Sequence, residues 1–200
     1  MFVVCLDLEG VLVPEIWINV AEKTGIDELK LTTRDISDYN VLMKRRIAIM
    51  EDNNLKLKDI QDVIATMDPL EGAEEFLENL RELTQVVILS DTFTQFAKPL
   101  MRKLGWPVIF CNELVIDSSG RITDFSLRQQ DGKKHAVRGF HSMGLQVVAS
   151  GDSYNDLSMI READSGALFC PPEKIVKENP DLPVAMNHRE LFEIIKNLIE

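Results

Sequence analysis

Five short runs of apolar and β-branched residues along the chain predict buried parallel strands. They cover residues 2–6, 85–89, 107–110, 146–150 and 167–169. Segments with helical spacing separate most of these runs, and the clearest places apolar residues at 73, 76, 77, 80 and 83 on one helix face. Further helices are predicted over 93–104, 135–143, 154–163 and 187–198. This alternation predicts an α/β fold with a doubly wound parallel sheet.

Two stretches interrupt the alternation. Residues 14–69 are almost all helix-forming and contain no good strand pattern, which predicts a helical cap inserted after the first strand. The α/β core would then consist of residues 1–13 and 70–200. Residues 112–129 predict a small β-hairpin with its turn at 117–120. Such a hairpin is either an edge of the core or a contact in a homodimer, and the sequence leaves both open.

Composition and charge narrow the function classes. The 200-residue chain is 45% hydrophobic and 28% charged, which is typical of a globular protein. Its net charge of −11 disfavours binding to nucleic acid or to an anionic membrane. No apolar run approaches the roughly 18 residues that a membrane span needs. The three cysteines have no C-x-x-C spacing, so we expect a cytoplasmic protein with reduced thiols.

Polar side chains gather where the predicted strands end. In V-C-L-D-L-E-G-V-L-V, residues 4–13, two carboxylates interrupt an otherwise apolar run. The carboxyl ends of neighbouring parallel strands meet at one edge of a sheet, where ligands bind. The candidates at that edge are Asp7, Glu9, Ser90, Asp91, Thr92, Asp152, Asn155 and Asp156, together with Lys133 before the helix that leads to the fourth strand.

Each set also has a purely structural interpretation. Asp7 and Glu9 could form a turn that leads the chain out of the sheet. Residues 90–92 could cap the following helix, and S-Y-N-D at 153–156 fits a capping box. Lys133 and Lys134 could be solvated surface charges. The convergence of all four sets on one sheet edge favours a functional site.

Four motifs in order make this chain resemble the haloacid dehalogenase superfamily of phosphotransferases. They are D-L-E-G-V-L at 7–12, I-L-S-D-T at 88–92, Lys133 and G-D-S-Y-N-D at 151–156. A helical cap after the first strand resembles the phosphoserine phosphatase branch. The opening D-L-E-G-V-L-V-P-E resembles a narrower group, the bifunctional phosphoserine phosphatase/homoserine phosphotransferases, which move phosphate from phosphoserine to homoserine or to water.

The resemblance implies a covalent mechanism on Asp7. Asp7 would attack phosphorus and form an aspartyl phosphate. Glu9 would give a proton to the leaving alcohol and then take one from water. Most family phosphatases have aspartate at the second position, and glutamate is one methylene longer. A slower attack by water would favour another alcohol, such as homoserine, as the acceptor.

The resemblance also implies Mg²⁺, which would offset the repulsion between a carboxylate and a phosphate dianion. Its ligands would be the Asp7 and Asp152 carboxylates and the Glu9 backbone carbonyl, with Asp156 in the outer shell. The phosphoryl group would meet Ser90, backbone N–H groups near Asp91 and Thr92 at a helix start, and Lys133, which is chosen over Lys134 by its position relative to the helix pattern that follows. Asn155 would orient the substrate or its loop.

Substrate choice is expected to depend on the cap. Arg46 falls in the middle of the apolar face of a helix predicted over 38–51, where an arginine is costly without an anionic partner. It could snorkel, pair with a cap acid, or hold a substrate carboxylate, as the corresponding arginine of phosphoserine phosphatases does. Glu15 follows Pro14, so it is either a first-turn acid with Pro at N1 or a partner for the substrate ammonium. In the family, the glutamate that pairs with the substrate ammonium lies one residue further from the nucleophile than Glu15 does from Asp7.

These features together predict an Mg²⁺-dependent phosphoserine phosphatase, with homoserine as an alternative acceptor to water. A second hypothesis keeps the chemistry but changes the substrate to another small phosphomonoester. A third is a receiver-like signalling module, which also carries a phosphorylatable aspartate. A module of that kind lacks the acid two residues after the nucleophile and has no use for a cap of this size.

Overall fold

The computed structural model describes residues 1–32, 35–36 and 38–200. Its sheet has seven strands in the order β4-β3-β2-β1-β5-β6-β7. Every neighbouring pair is parallel except β3 and β4. The strands are β1 Phe2–Leu6, β2 Gln85–Phe93, β3 Val108–Ile116, β4 Ile122–Ser126, β5 Gln146–Gly151, β6 Ser165–Phe169 and β7 Val184–Ala185. The predicted α/β class is confirmed.

Helices cover both faces of this sheet. They are α1 Ile16–Thr24, α2 Tyr39–Asp52, α3 Leu57–Ala65, α4 Ala73–Leu83, α5 Thr94–Lys103, α6 Gly132–Ser142, α7 Leu157–Glu162, α8 Glu173–Glu178 and α9 His188–Ile199. Short 3-10 turns lie at Asp27–Lys30 and Tyr154–Asp156. The helix predicted over 154–163 is confirmed in part, because its first three residues form a 3-10 turn and α7 covers Leu157–Glu162. The short elements α8 and β7 were not predicted, since neither is long enough to show a period.

The alternation of side chains along β1 builds two apolar layers. Val4 and Leu6 belong to a cluster that includes residues of α4, α5 and α9. Val3 and Cys5 point to the other face, where they join residues of α6 and α7. Each fully buried aliphatic side chain of this kind contributes about 1.5–3 kcal/mol. The two layers fix β1 in the centre of the sheet and its carboxyl end at the sheet edge.

The segment between β1 and α4 is helical throughout its described part. It contains α1, α2, α3 and one 3-10 turn, and three residues of the predicted cap, Thr33, Arg34 and Ser37, lie outside the described residues. Most of its buried apolar side chains belong to the same cluster as those of β1 and α5. The Trp17 and Phe96 rings, for example, meet edge to face at 5.5 Å. The division of the chain into core and cap stays a prediction.

The expected hairpin consists of β3 and β4, which pair antiparallel from Glu113 opposite Ser126. Its turn is held by Asp117, whose Oδ1 accepts hydrogen bonds from the Ser119 and Arg121 N–H groups. The expected separation of the hairpin from the third strand is wrong. The predicted third strand and the first arm of the hairpin are one continuous strand, because the first half of β3 pairs with β2 and its second half with β4.

Candidate active site

Three carboxylates meet at the carboxyl edge of β1 and β5. One oxygen each from Asp7, Asp152 and Asp156 lies within 4.8 Å of the others. The strands bring them together because β1 and β5 are parallel and in register up to Leu6 opposite Ser150. The Asp7 N–H donates to the Ser150 carbonyl at 3.0 Å and extends this pairing by one residue. The convergence expected from the sequence is therefore present in the fold.

Lys133 is the lysine that reaches this cluster. Its Nζ lies 2.9 Å from Asp7 Oδ1, 2.7 Å from Asp156 Oδ1 and 3.8 Å from Asp91 Oδ2, and its side chain is 4% exposed. Lys134 instead lies 3.8 Å from Glu162 at the surface. Burial alone would lower the pKa of Lys133, but Asp156, Asp7 and Asp91 together raise it above its ordinary value. Lys133 is therefore held as a cation.

Asp156 organises the loop after β5. Its Oδ2 accepts hydrogen bonds from the Asp152 and Ser153 N–H groups, both at 3.1 Å. The predicted capping box is therefore present, with Ser153 as its N-cap. Because Asp156 Oδ1 bonds Lys133 at the same time, capping and site assembly use the two oxygens of one carboxylate.

Two glycines allow the loops to approach this closely. Gly10 has φ +77°, and a Cβ built there would lie 2.5 Å from Asp152 Cγ. A Cβ on Gly151 would lie 2.2 Å from Asp156 Cγ. Any side chain at either position would displace a carboxylate of the cluster.

The cluster carries excess negative charge. Asp7 is buried, and its Oδ1 accepts a hydrogen bond from the Leu8 N–H at 2.7 Å. Burial, followed by the neighbouring Asp156, raises the pKa of Asp7 well above its usual range, and Lys133 offsets only part of this. Carboxylate oxygens at this spacing fit a hard divalent cation, which would relieve the repulsion.

Glu9 lies beside the cluster, at the start of α1. Its Oε2 accepts a hydrogen bond from the Ile16 N–H at 2.8 Å. Burial raises the pKa of Glu9 to about 7, with a further contribution from Glu15, while the Ile16 N–H, Arg46 and Lys133 act in the opposite direction. Gly10 N–H also donates to the Val13 carbonyl at 2.8 Å, so the turn proposed for this segment exists alongside the acid.

The segment 90–92 differs from expectation. Ser90, Asp91 and Thr92 lie in β2, and α5 begins only at Thr94, with no side-chain cap. The capping interpretation is therefore wrong, and so is the placement of these N–H groups at a helix start. The chain stays extended there, with the Thr92 N–H donating to Ser90 Oγ at 3.2 Å. Asn155 joins the group through Nδ2, which donates to Asp91 Oδ2 at 3.2 Å.

Arg46 is buried on the cap side, at 6% exposure. Its Nη2 donates to the Leu31 carbonyl at 2.7 Å, and its guanidinium lies 4.5 Å from the centre of the Trp17 ring. Its Nε has no hydrogen-bond partner among the described residues, and no described carboxylate lies within ion-pair distance. Burial lowers the pKa of Arg46 to about 10, although Glu9, Tyr39 and Glu15 act against this. Snorkelling does not describe a head group this deeply buried.

Glu15 is the N-cap residue of α1 and makes no side-chain capping bond. The interpretation of Glu15 as a first-turn acid with Pro14 at N1 is wrong, because the helix begins at Ile16. The charge of Glu15 acts on both Glu9 and Arg46, which places it near them at the entrance to the helical segment.

Two residues at the site carry no motif and were not predicted. Tyr39 donates its hydroxyl hydrogen to the Asp91 carbonyl at 2.8 Å, and Asn112 Nδ2 donates to the same oxygen at 3.0 Å. Their role depends on long-range packing, since they lie 52 and 21 residues from Asp91.

Comparison with known proteins agrees with this geometry. Residues 3–164 match the haloacid dehalogenase-like hydrolase family. The chain belongs to this family. It is 56% identical to the phosphoserine phosphatase ThrH of Pseudomonas aeruginosa over 191 residues, which cover 96% of this chain and 93% of that protein. It is 54% identical to the phosphoserine phosphatase of Pseudomonas syringae pv. tomato, covering 94% and 80% of the two chains.

Solved structures show the same fold. An apo phosphoserine phosphatase crystal structure superposes with a TM-score of 0.79 at 24% identity, covering 96% of this chain and 98% of the other. The family membership makes this chain a hydrolase, as the sequence motifs predicted. None of the described helices is long and apolar enough to span a membrane.

Proposed function

We propose that this protein is an Mg²⁺-dependent phosphoserine phosphatase that forms an aspartyl phosphate on Asp7. The observation that carries the proposal is a largely buried acidic cluster that includes Lys133, together with the buried Arg46, whose Nε has no partner among the described residues. The two Pseudomonas relatives, both named phosphoserine phosphatases, support the choice of substrate.

The donor set fits Mg²⁺, because it consists of carboxylate oxygens that lie within 4.8 Å of one another, and Gly10 leaves room for the Asp152 carboxylate among them. Asp7, Asp152 and the Glu9 backbone carbonyl would hold the ion, with Asp156 in the outer shell. The cation would screen the charge of the phosphate from that of the attacking carboxylate.

In the first step, an oxygen of Asp7 bonds to phosphorus as the bond between phosphorus and the serine oxygen breaks. Glu9 gives its proton to that oxygen, so serine leaves as a neutral alcohol. The Lys133 ammonium and the Ser90 hydroxyl stabilise the charge on the phosphoryl oxygens, and the Thr92 N–H supports this by donating to Ser90 Oγ. In the second step, Glu9 takes a proton from the acceptor, whose oxygen displaces Asp7 from phosphorus.

The cap side would recognise the amino-acid part of the substrate. Arg46 presents its Nε, which has no partner among the described residues, to the α-carboxylate, in a buried environment where a charge-assisted hydrogen bond is strong. Glu15 supplies a carboxylate for the ammonium group, and Asn155 positions the loop through Asp91. The helical segment 14–69 would act as the cap that closes over the substrate.

The acceptor is water or a second alcohol. Glu9 Oε2 is fixed by the Ile16 N–H. The longer side chain of glutamate therefore holds its carboxyl group in a different position from that of an aspartate. We propose that homoserine, which shares the amino-acid end of serine, competes with water at this step. The same cap contacts would then bind both the leaving serine and the incoming homoserine.

The test is product analysis with L-phosphoserine and Mg²⁺, with and without L-homoserine. Phosphate release that falls as homoserine phosphate accumulates supports transfer through a shared intermediate. Phosphate release unaffected by homoserine supports hydrolysis alone. Turnover of other phosphomonoesters without turnover of phosphoserine would overturn the choice of substrate and leave the chemistry in place.

Two further expectations concern the protein as a whole. The three cysteines are free thiols, which supports a cytoplasmic location. The hairpin exposes Val115, and we propose it as the contact of a homodimer. Light scattering of the purified protein measures the mass of the particle in solution. The mass of a monomer at working concentration would contradict the dimer proposal.

A further inference from the structure

Tyr39 connects the cap side of the site to the core side. It is the first residue of α2, and the start of that helix is fixed by Asp38, whose Oδ1 accepts hydrogen bonds from the Asn40 and Val41 N–H groups at 2.8 and 3.2 Å. From there the Tyr39 hydroxyl reaches the Asp91 carbonyl in β2, directly after Ser90. The first turn of α2 therefore contacts the strand that carries the proposed phosphate ligands.

The Asp91 carbonyl is held from two sides. Asn112, a buried residue of β3, donates to the same oxygen through Nδ2. The Oδ1 of Asn112 accepts a hydrogen bond from the Arg128 N–H at 3.0 Å, which fixes the orientation of the amide. A carbonyl oxygen has two lone pairs, so Tyr39 and Asn112 together occupy its whole accepting capacity.

This arrangement orients the next N–H group. The peptide between Asp91 and Thr92 is planar and trans, so its C=O and N–H point in opposite directions. With the oxygen held by Tyr39 and Asn112, the Thr92 N–H must point the other way. It points to Ser90 Oγ, at 3.2 Å. The Thr92 N–H therefore supports Ser90 Oγ, the side-chain donor proposed for the phosphoryl group.

We propose that Tyr39 is a positioning residue: through the Asp91–Thr92 peptide it directs the Thr92 N–H to Ser90 Oγ, which holds the Ser90 hydroxyl for the phosphoryl group, so that docking of α2 completes the phosphate site. The inference rests on the proposed function, because it assumes that a phosphoryl group binds beside Ser90. The hydroxyl is separable from the rest of the side chain. The Tyr39 ring packs edge to face on Phe125 at 6.0 Å, and that contact does not need the hydroxyl.

The test is Tyr39→Phe, assayed with phosphoserine and with p-nitrophenyl phosphate, which has no amino-acid part. Loss of one orienting hydrogen bond is expected to lower kcat about tenfold for both substrates and to change KM less than about twofold. Asn112→Leu removes the other donor to the same carbonyl and should lower kcat in the same way. Melting temperatures of both variants are measured beside the kinetics.

The matched control is Gln61→Met. Gln61 of α3 also donates a hydrogen bond across to the core, from Nε2 to the Gln95 carbonyl at 2.8 Å, but it does not touch residues 90–92. Its kinetics should equal those of the wild type. An equal fall in both variants would mean that cap docking in general matters, which overturns the positioning role of Tyr39.

Other outcomes also decide the matter. Wild-type kinetics in Tyr39→Phe would overturn the proposal, and so would a loss confined to phosphoserine, which would place Tyr39 at the amino-acid end. If the wild type hydrolyses p-nitrophenyl phosphate but not phosphoserine, the substrate proposal fails, while Tyr39→Phe can still be compared with the wild type on p-nitrophenyl phosphate. If it hydrolyses neither, both proposals fail.

Discussion

The two sides of the site differ in how their charges are satisfied. On the core side, Lys133 contacts Asp7 and Asp156, and the remaining oxygen of Asp156 accepts two backbone N–H groups. On the cap side, Arg46 is equally buried but keeps an Nε with no described partner, and Glu15 makes no capping bond. Buried polar groups in folded proteins are almost always hydrogen-bonded. The core side is thus organised without a ligand, whereas the cap side leaves one buried donor that the carboxylate of the proposed substrate would accept from.

The core side lacks a positive charge, whereas the cap side lacks a negative charge. Burial, followed by the neighbouring Asp156, raises the pKa of Asp7, and a cation beside the cluster would counteract this. Burial lowers the pKa of Arg46, and an anion would correct that. A metal ion would supply the positive charge and the carboxylate of an amino acid would supply the negative charge. Substitutions on the two sides should therefore change the activity toward different substrates.

The largest effect is expected for Asp7→Asn, which is nearly isosteric but cannot act as the nucleophile. Activity toward every phosphomonoester should fall on the order of 10⁴-fold or more. Initial rates with phosphoserine and p-nitrophenyl phosphate measure it, with circular dichroism to show that the variant is folded. A folded variant that keeps a tenth of the activity would show that Asp7 is not the nucleophile.

Gly10→Ala tests how tightly the core side is organised. The new Cβ would collide with the Asp152 carboxylate, so we expect activity to fall about 100-fold or more, through displacement of a proposed metal ligand. Gly144→Ala is the matched control, because Gly144 also has φ +77° but open space around it. The control should show only the cost of backbone strain, about 1 kcal/mol of unfolding free energy. Equal activity in the two variants would contradict this account.

Arg46→Lys tests the cap side. Lysine keeps the charge but loses the planar fork, so kcat/KM for phosphoserine should fall about 100-fold. Turnover of p-nitrophenyl phosphate should stay within about twofold. Arg45→Lys, on the exposed face of the same helix, serves as the control and should change neither. An equal loss on both substrates would show that Arg46 supports the fold instead of reading the carboxylate.

The smallest expected effect is on stability. Because Mg²⁺ would neutralise the core cluster in the folded state only, a concentration about 100 times its dissociation constant should stabilise the protein by about 2.7 kcal/mol and raise Tm by roughly 5 °C. Thermal denaturation with EDTA or Mg²⁺ measures the shift. Asp152→Asn should lose most of it. An identical shift in that variant would place the ion elsewhere.

The sequence predicted those parts of the site that depend on local pattern. The runs ending at Leu6 and Ser150 located the sheet edge. The position of Lys133 relative to the following helix pattern selected it over Lys134, and the fold brings it to Asp7. Sequence reasoning failed at residues 90–92, because nothing local distinguishes an extended strand end from a helix cap. It missed Tyr39, because a hydrogen bond across 52 residues depends on how α2 packs.

The most direct test of the central claim is acid quenching of the wild-type reaction with phosphoserine labelled in its phosphoryl group. We predict that label appears on the protein within the first turnover, that hydroxylamine removes it as expected of an acyl phosphate, and that peptide mapping places it on Asp7. Turnover with no label on the protein, or with label on another residue, would contradict the account.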